Sequence, residues 1–410
     1  MVSGRVGAEP SCEFQITRYT TSYPDMYRPP KNVFLLSITS FFSDFSTEMV
    51  FSVFPAFFVS VLKTGASSLG LVEGVAEGVS NLIKIYGGKL SDKIQKRKPF
   101  IITGYALAVA TRPFYVAVGS VTGVVGLRVV DRIGKGLRGG PRDALISLST
   151  PKEQLGQAFG FHRMCDTFGA IAGPLVAYLI LRAYPDAFDM VFLSSFIVGV
   201  FAVVALFFVK DIVAGVRNNT ISVAAAAGFS REFKLYLVAL FFLSLGSLPV
   251  AVMLLTTQDI GLALASIPLF YMVYNIAYAG FSVAAGKVSD SWGAKNVIRV
   301  GYLILVASYV FLGFASNTAL LVAGFFVLGL FPALTDGIQR AFAAELTPAE
   351  TRGGAMGMVN AVAGFGLLFA GIGGGLIWEH VGANYAFAVA GICVLGGVVV
   401  LSSTSTRRVA

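Results

Sequence analysis

Apolar residues run along this chain in long blocks separated by short polar interruptions. Each block approaches the ~20 residues that an α-helix needs to cross the hydrocarbon core of a bilayer. Twelve blocks predict helices at 33–62, 68–87, 99–119, 121–138, 157–182 and 187–210, then at 233–257, 266–285, 297–315, 318–343, 354–378 and 382–402. The first thirty residues have no apolar core and read as a solvated tail over 1–30 rather than a signal peptide. The longest later interruption, DIVAGVRNNTISVAAAAGFSRE, reads as a linker at 211–232 between a six-helix unit at 31–210 and another at 233–403, with a short tail at 404–410.

Composition points the same way. Hydrophobic residues are 56% and charged residues 13%, where soluble domains are about a quarter charged. The expected class is an all-α integral membrane protein. Its net charge of +9 is unevenly placed. Lys93, Lys96, Arg97, Lys98, Arg138, Arg142, Arg217, Arg231, Lys295, Arg299, Arg407 and Arg408 fall on one side of the predicted topology, and the other side has little beyond Lys63 and Arg182. The positive-inside rule then places both termini in the cytosol of a multi-pass plasma-membrane protein. The same bias accounts for the net charge, so lipid is an expected partner and nucleic acid is not. Cys12, Cys165 and Cys393 are too scattered for a disulfide framework or a zinc cluster.

The chain echoes itself. GKLSDKIQKRK at 88–98 recurs as GKVSDSWGAKN at 286–296, and TPKEQLGQAFG at 150–160 recurs as TPAETRGGAMG at 347–357. Phe168-Gly169 is likewise matched by Phe365-Gly366. Two independent echoes at nearly one offset imply a duplicated six-helix unit, with a site expected between two pseudo-symmetric bundles.

Charges inside predicted spans are costly and mark function by default. Helix 1 carries Asp44 and Glu48 in SDFSTEM, one turn apart, with Ser37 and Ser40 on the same face and no base on that helix. Two carboxylates this close resist ionising together, which suits one of them to holding a proton. Helix 2 aligns Glu73, Glu77 and Lys84; helix 3 has Arg112; helix 4 aligns Arg128, Asp131, Arg132 and Lys135; helix 5 has His162, Arg163 and Asp166. The stripes predict a polar cavity inside the first bundle, with Asp44, Glu48, Glu73, Glu77 and Arg132 serving proton coupling. Arg112, His162, Arg163 and Asp166 are expected to face substrate. In the second bundle Tyr271, Tyr274, Asn275 and Tyr278, with Asp336 and Arg340, suit an organic solute having polar and apolar parts. Structural ion pairs and tyrosine core packing are the alternative reading.

GKLSDKIQKRK resembles the loop signature of the major facilitator superfamily. Gly88, Leu90, Asp92, Lys93, Arg97 and Lys98 match it, with Gln95 where a glycine is usual; the second copy keeps Gly286, Asp290 and Gly293 but has no base after its Asp. The resemblance implies that family's twelve-helix fold and a cytosolic latch in which Asp92 pairs with Arg138 or Arg142. Gly160, Gly169, Gly173 and Pro174 resemble the family's antiporter signature, although Ala177 and Tyr178 replace its closing glycines. Arg132 resembles the helix 4 arginine implicated in proton coupling. SDFSTEM, GKGLRGGPRDAL and AFGFHRMCDTFGA resemble a prokaryotic subgroup that includes multidrug and nickel-resistance exporters.

The expectation is a monomeric secondary transporter, exporting a small organic compound in exchange for protons. A divalent transition-metal exporter is the first alternative, with Asp44, Glu48, His162 and Asp166 as its ligands; Met164 and Cys165 point away from that face. A non-transporting receptor or scaffold of the same fold is the second. No Walker loop and no nucleophile–histidine set is present, so neither enzyme nor cofactor is expected.

Overall fold

The computed structural model describes residues 28–94, 96–151, 154–212, 229–348 and 351–404, without the side chains of 85–94, 352 and 353. Most of the expected tails and linker therefore lie outside the described residues. The first half runs through α1 (Lys31–Ser60), α2 (Ala66–Ile94), α3 (Lys98–Ala110), α4 (Val121–Leu148), α5 (Leu155–Ala183) and α6 (Phe188–Phe207). The second runs through α7 (Arg231–Leu245), α8 (Val250–Met253), α9 (Thr256–Asp259), α10 (Ile267–Trp292), α11 (Ala294–Gly313), α12 (Thr318–Glu345), α13 (Arg352–His380) and α14 (Ala383–Ser402).

Among the described residues nine helical segments are long and apolar enough to cross a membrane. Those in α2, α3 and α4 are not counted among them. The stripes of α2 and α4 are charged, and α3 has only 13 residues. Pro113 has no N–H to continue the ladder and a short 3-10 turn follows at Pro113–Val116, so the single helix expected at 99–119 is broken. The helix expected at 233–257 is broken as well, because Gly246 and Pro249 interrupt it. Tyr309 of α11 repairs that break: its hydroxyl donates to Gly246 O at 2.6 Å and accepts from Leu248 N–H at 3.1 Å. A broken helix is tolerated within a membrane only when neighbours satisfy the freed backbone groups in this way.

The duplication read from the sequence recurs in the packing. Ser120 accepts from Gly123 N–H to cap α4, and Asn317, 197 positions later, accepts from Leu320 N–H to cap α12. A Cβ on Gly104 would lie 2.8 Å from Arg138 Cβ, and one on Gly301 would lie 2.7 Å from Thr335 Cγ2; both glycines and both partners are 197 apart. Gly169 presses α5 against Phe41 of α1, as Gly366 presses α13 against Phe241 of α7. Each bundle is thus held by the same small-residue contacts, which let helix backbones approach closely.

The halves meet mainly at the end away from the basic loops. There the buried apolar cluster is continuous from Phe54, Phe57 and Phe58 of α1 to Val252, Met253, Ile267 and Phe270 of the second half. A Cβ on Gly70 of α2 would lie 2.2 Å from Gly371 O of α13, and one on Gly375 would lie 2.5 Å from Ala66 O. At the basic end, a separate cluster around Leu36, Tyr105, Ile146 and Leu206 belongs to the first half alone. Gly139, Gly156 and Gly160 on one side, and Gly280, Gly286 and Gly337 on the other, face open space. The halves are therefore packed together at the far end.

Candidate functional site

Six of the expected charges form one buried array in the first half. Arg112 Nη2 reaches Asp131 at 3.0 Å and Thr47 at 3.1 Å. Arg128 holds both Glu73 oxygens at 2.6 Å and lies 3.5 Å from Asp131. Arg132 reaches Glu77 at 3.2 Å and Glu73 at 3.9 Å. The Arg128 guanidinium also sits 5.0 Å from the Phe54 ring, which presents its negative face to the cation. Three bases and three acids are neutral as a set, which is how membrane interiors tolerate charge.

Two of the residues expected at the cavity lie inside this array. Arg112 is 1% exposed and paired with Asp131. Glu73, expected beside Asp44 and Glu48 as a proton site, is 3% exposed and held by Arg128. Short charged stripes on α2 and α4 face one another directly, so the charges neutralise within the bundle. Glu77 and Arg132 form the edge of the array, with Glu77 half-buried.

Asp44 and Glu48 stand apart from it. Both are half-buried near the middle of α1. Gly173 fixes this stretch, since its Cβ would lie 2.7 Å from Phe45 O and 3.0 Å from Glu48 Cβ. Of the other glycines in that motif, Gly169 packs on α1 and Gly160 faces open space, while Pro174 lies within α5. Glu48 accepts a hydrogen bond from the Tyr271 hydroxyl at 2.7 Å, across the gap between the halves. Among the described residues no hydrogen bond or ion pair reaches Asp44, and the same holds for the exposed Lys135. Lys84 donates to Asn81 at 3.2 Å.

The opposite wall is a ladder of tyrosines on α10. Tyr271 stacks on Tyr274 with centroids 5.6 Å apart, and Tyr278 follows. Tyr278 donates to Asp336 of α12 at 2.9 Å and accepts from Arg163 of α5. Asn275 donates to Ala170 O at 3.1 Å. One helix of the second half therefore holds α1 through Glu48 and α5 through Arg163 and Ala170. Arg340 is exposed one turn from Asp336.

His162 and Asp166 are buried together at 3.7 Å, with Ser37 3.4 Å from His162 Nδ1. Among the described residues no group of three or more His, Cys, Asp or Glu is placed to hold a metal ion. The four carboxylate and imidazole residues expected as a metal set do not converge.

The side chains of Gly88, Asp92 and Lys93 lie outside the described residues. Of their expected partners, Arg138 lies 4.0 Å over the Tyr105 ring, and Arg142 donates to Ser40 and Asp143 at 3.0 Å. The backbone N–H groups of Arg97 and Lys98 donate to Asp211 at 3.3 Å, which caps the start of α3. In the second copy Asp290 is exposed and Gly286 faces open space. The role of Asp211 was not readable beforehand, because a single acid after an apolar block carries no periodic signal. Thr47 was readable, since it lies within SDFSTEM on the face next to Asp44.

The family model of the Major Facilitator Superfamily matches residues 36–246 and again residues 235–408, one match for each half. The chain belongs to the major facilitator superfamily. An uncharacterised transporter of this superfamily from Methanocaldococcus jannaschii is 33% identical over 85% of this chain and 89% of its own length. A multidrug resistance protein of Cronobacter sakazakii is 23% identical over 80% of this chain and 83% of its own. The crystal structure of the nucleoside transporter NupG superposes with a TM-score of 0.74 at 15% identity, covering 91% of this chain and 98% of that one. A D-xylose–proton symporter gives a TM-score of 0.68 at 16% identity, covering 92% of this chain and 98% of that one. At such identities the likeness establishes the fold. This superfamily member is a multi-pass membrane transporter of small molecules.

Proposed function

We propose that this major facilitator superfamily protein is a proton-coupled exporter of a small organic compound. It would work in the plasma membrane, with its termini and the basic loops on the cytosolic side. The observation that carries the reading is the bond from Tyr271 to Glu48, with unpaired Asp44 one turn away. The array on α2, α3 and α4 is neutral within itself, whereas these two carboxylates of α1 have no basic partner, which suits them to exchange a proton. A hydrogen bond to an ionised carboxylate is roughly twice as strong as one between neutral groups. Protonating Glu48 therefore loosens α10 from α1, which ties proton occupancy to separation of the halves. A cytosolic solute would reach the tyrosine ladder from the basic end.

Proteoliposomes carrying the purified protein, with an imposed pH gradient and ethidium as the first probe, test the reading. Proton-driven movement is expected, slowed about ten-fold or more when Asp44→Asn and Glu48→Gln are combined. Unchanged movement in that double variant overturns the coupling. Failure of a panel of drugs, nucleosides and sugars to move in either direction overturns the transport reading itself.

A further inference from the structure

We propose that the far end of the second half holds a binding site for a monovalent organic cation, separate from the space between the halves. A cavity of about 540 Å³ opens there, lined by Asp259 at the end of α9, Trp378 near the end of α13, and Asn384 and Tyr385 at the start of α14. That volume falls within the roughly 300–1,000 Å³ typical of small-molecule sites. Gly382 has a φ of 125°, a conformation that side chains avoid, and it turns α14 back so that its first residues line the cavity. The Trp378 indole is fixed edge-on against Phe387 at 5.1 Å.

The charge pattern selects the ligand. Asp259 is the one ionisable acid among the described lining residues, and no Lys, Arg or His accompanies it. Glu379, next to Trp378, is engaged with Ser67 instead. Among the described residues no hydrogen bond or ion pair reaches Asp259, and partial burial lifts its carboxyl above the ordinary value with no base to offset it. A cation entering the cavity relieves that cost. The electron-rich faces of an indole and a phenol suit a positively charged nitrogen carrying apolar substituents. One carboxylate is too poor a ligand set for a divalent metal, and an anion meets only repulsion. An alkylammonium group fits, whether from a free solute or from a choline lipid headgroup.

The protein has two tryptophans, Trp292 and Trp378. In a Trp292→Phe background, Trp378 fluorescence reports on the cavity alone. Choline is the probe, and its neutral tert-butyl analogue is the control. The protein sits in nanodiscs of phosphatidylglycerol or of phosphatidylcholine. A saturable change is expected with choline and not with the analogue, weakened roughly ten-fold by Asp259→Asn and retained in Asp44→Asn. Tyr385→Leu, on an exposed position, weakens it independently. Loss of the choline response only in phosphatidylcholine supports the site and assigns it to headgroups; equal responses in both lipids support it and assign free solute. A response shared by the neutral analogue, or unaltered by Asp259→Asn, overturns the proposal. Because Asp44→Asn separates the two sites, failure here leaves the central reading untouched.

Discussion

Glu379 of the second half accepts both the backbone N–H of Ser67, at 2.8 Å, and the Ser67 hydroxyl, at 2.5 Å. Ser67 opens α2 in the first half, so one half supplies the N-terminal cap of a helix in the other. A carboxylate in that position satisfies orphan N–H groups and favours the positive end of the helix. The clasp lies beside the close backbone contacts of Gly70 and Gly375, at the end where the halves are shut.

Glu379→Gln keeps the shape and removes the charge. Losing one charge-assisted bond of ~1–2 kcal/mol shifts a two-state equilibrium by roughly five- to thirty-fold. The population open at the far end rises, seen as longer distances between spin labels on the far ends of α2 and α13. Ser67→Ala, which keeps the backbone bond, moves it less.

Tyr271→Phe keeps the ring that stacks on Tyr274 and deletes the hydroxyl that reaches Glu48. Gradient-driven transport falls about ten-fold, in line with the ~1.5 kcal/mol or more of a hydrogen bond to a charged group. Solute binding, measured at equilibrium, changes far less. An equal fall in both would show Tyr271 to be a substrate contact rather than a coupling contact.

Glu73→Gln leaves Arg128 in a dry interior without its main partner, while Arg112 still claims Asp131. Removing one member of a buried pair costs about 3–5 kcal/mol. Thermal unfolding in detergent drops sharply for this variant. Replacing Glu73 and Arg128 together with Met restores part of the loss.

Two glycines of the same motif respond oppositely. A Cβ on Gly169 would lie 2.4 Å from Phe41 O, whereas one on Gly160 meets nothing within 4 Å. Gly169→Ala forces α5 off α1 at a cost of about 1–3 kcal/mol. Gly160→Ala leaves thermal stability unchanged or slightly raised, since alanine is the better helix former.

Much of the fold was legible because bilayers punish exposed backbone and charge. Long apolar blocks could only be helices, and two echoes at one offset could only be a duplication. The breaks at Pro113 and Gly246–Pro249 were visible as residues yet not as breaks, since composition there stays apolar. For the site, the isolation of Asp44 and Glu48 from bases on their own helix was readable. That Glu48 would meet Tyr271, 223 positions away, was not. Charge stripes state which face is buried but not which stripe it meets, so Arg112 and Glu73 were placed on a cavity wall when they complete a neutral array. Asp211 and Glu379 cap helices that are distant in sequence, and such contacts exist only once the helices are packed.

The matched contacts of Gly104 with Gly301, and of Gly169 with Gly366, divide this chain into what its history held fixed and what it let go. Close backbone contacts tolerate no added atom, so both copies kept them while their inner walls diverged into acids and arginines on one side and tyrosines on the other. Residues on α10 and α12 outside these glycine contacts, and outside the bonds that Tyr271, Asn275 and Tyr278 make to the first half, can therefore be exchanged without disturbing assembly, and the selectivity of this carrier should be open to redesign from those positions.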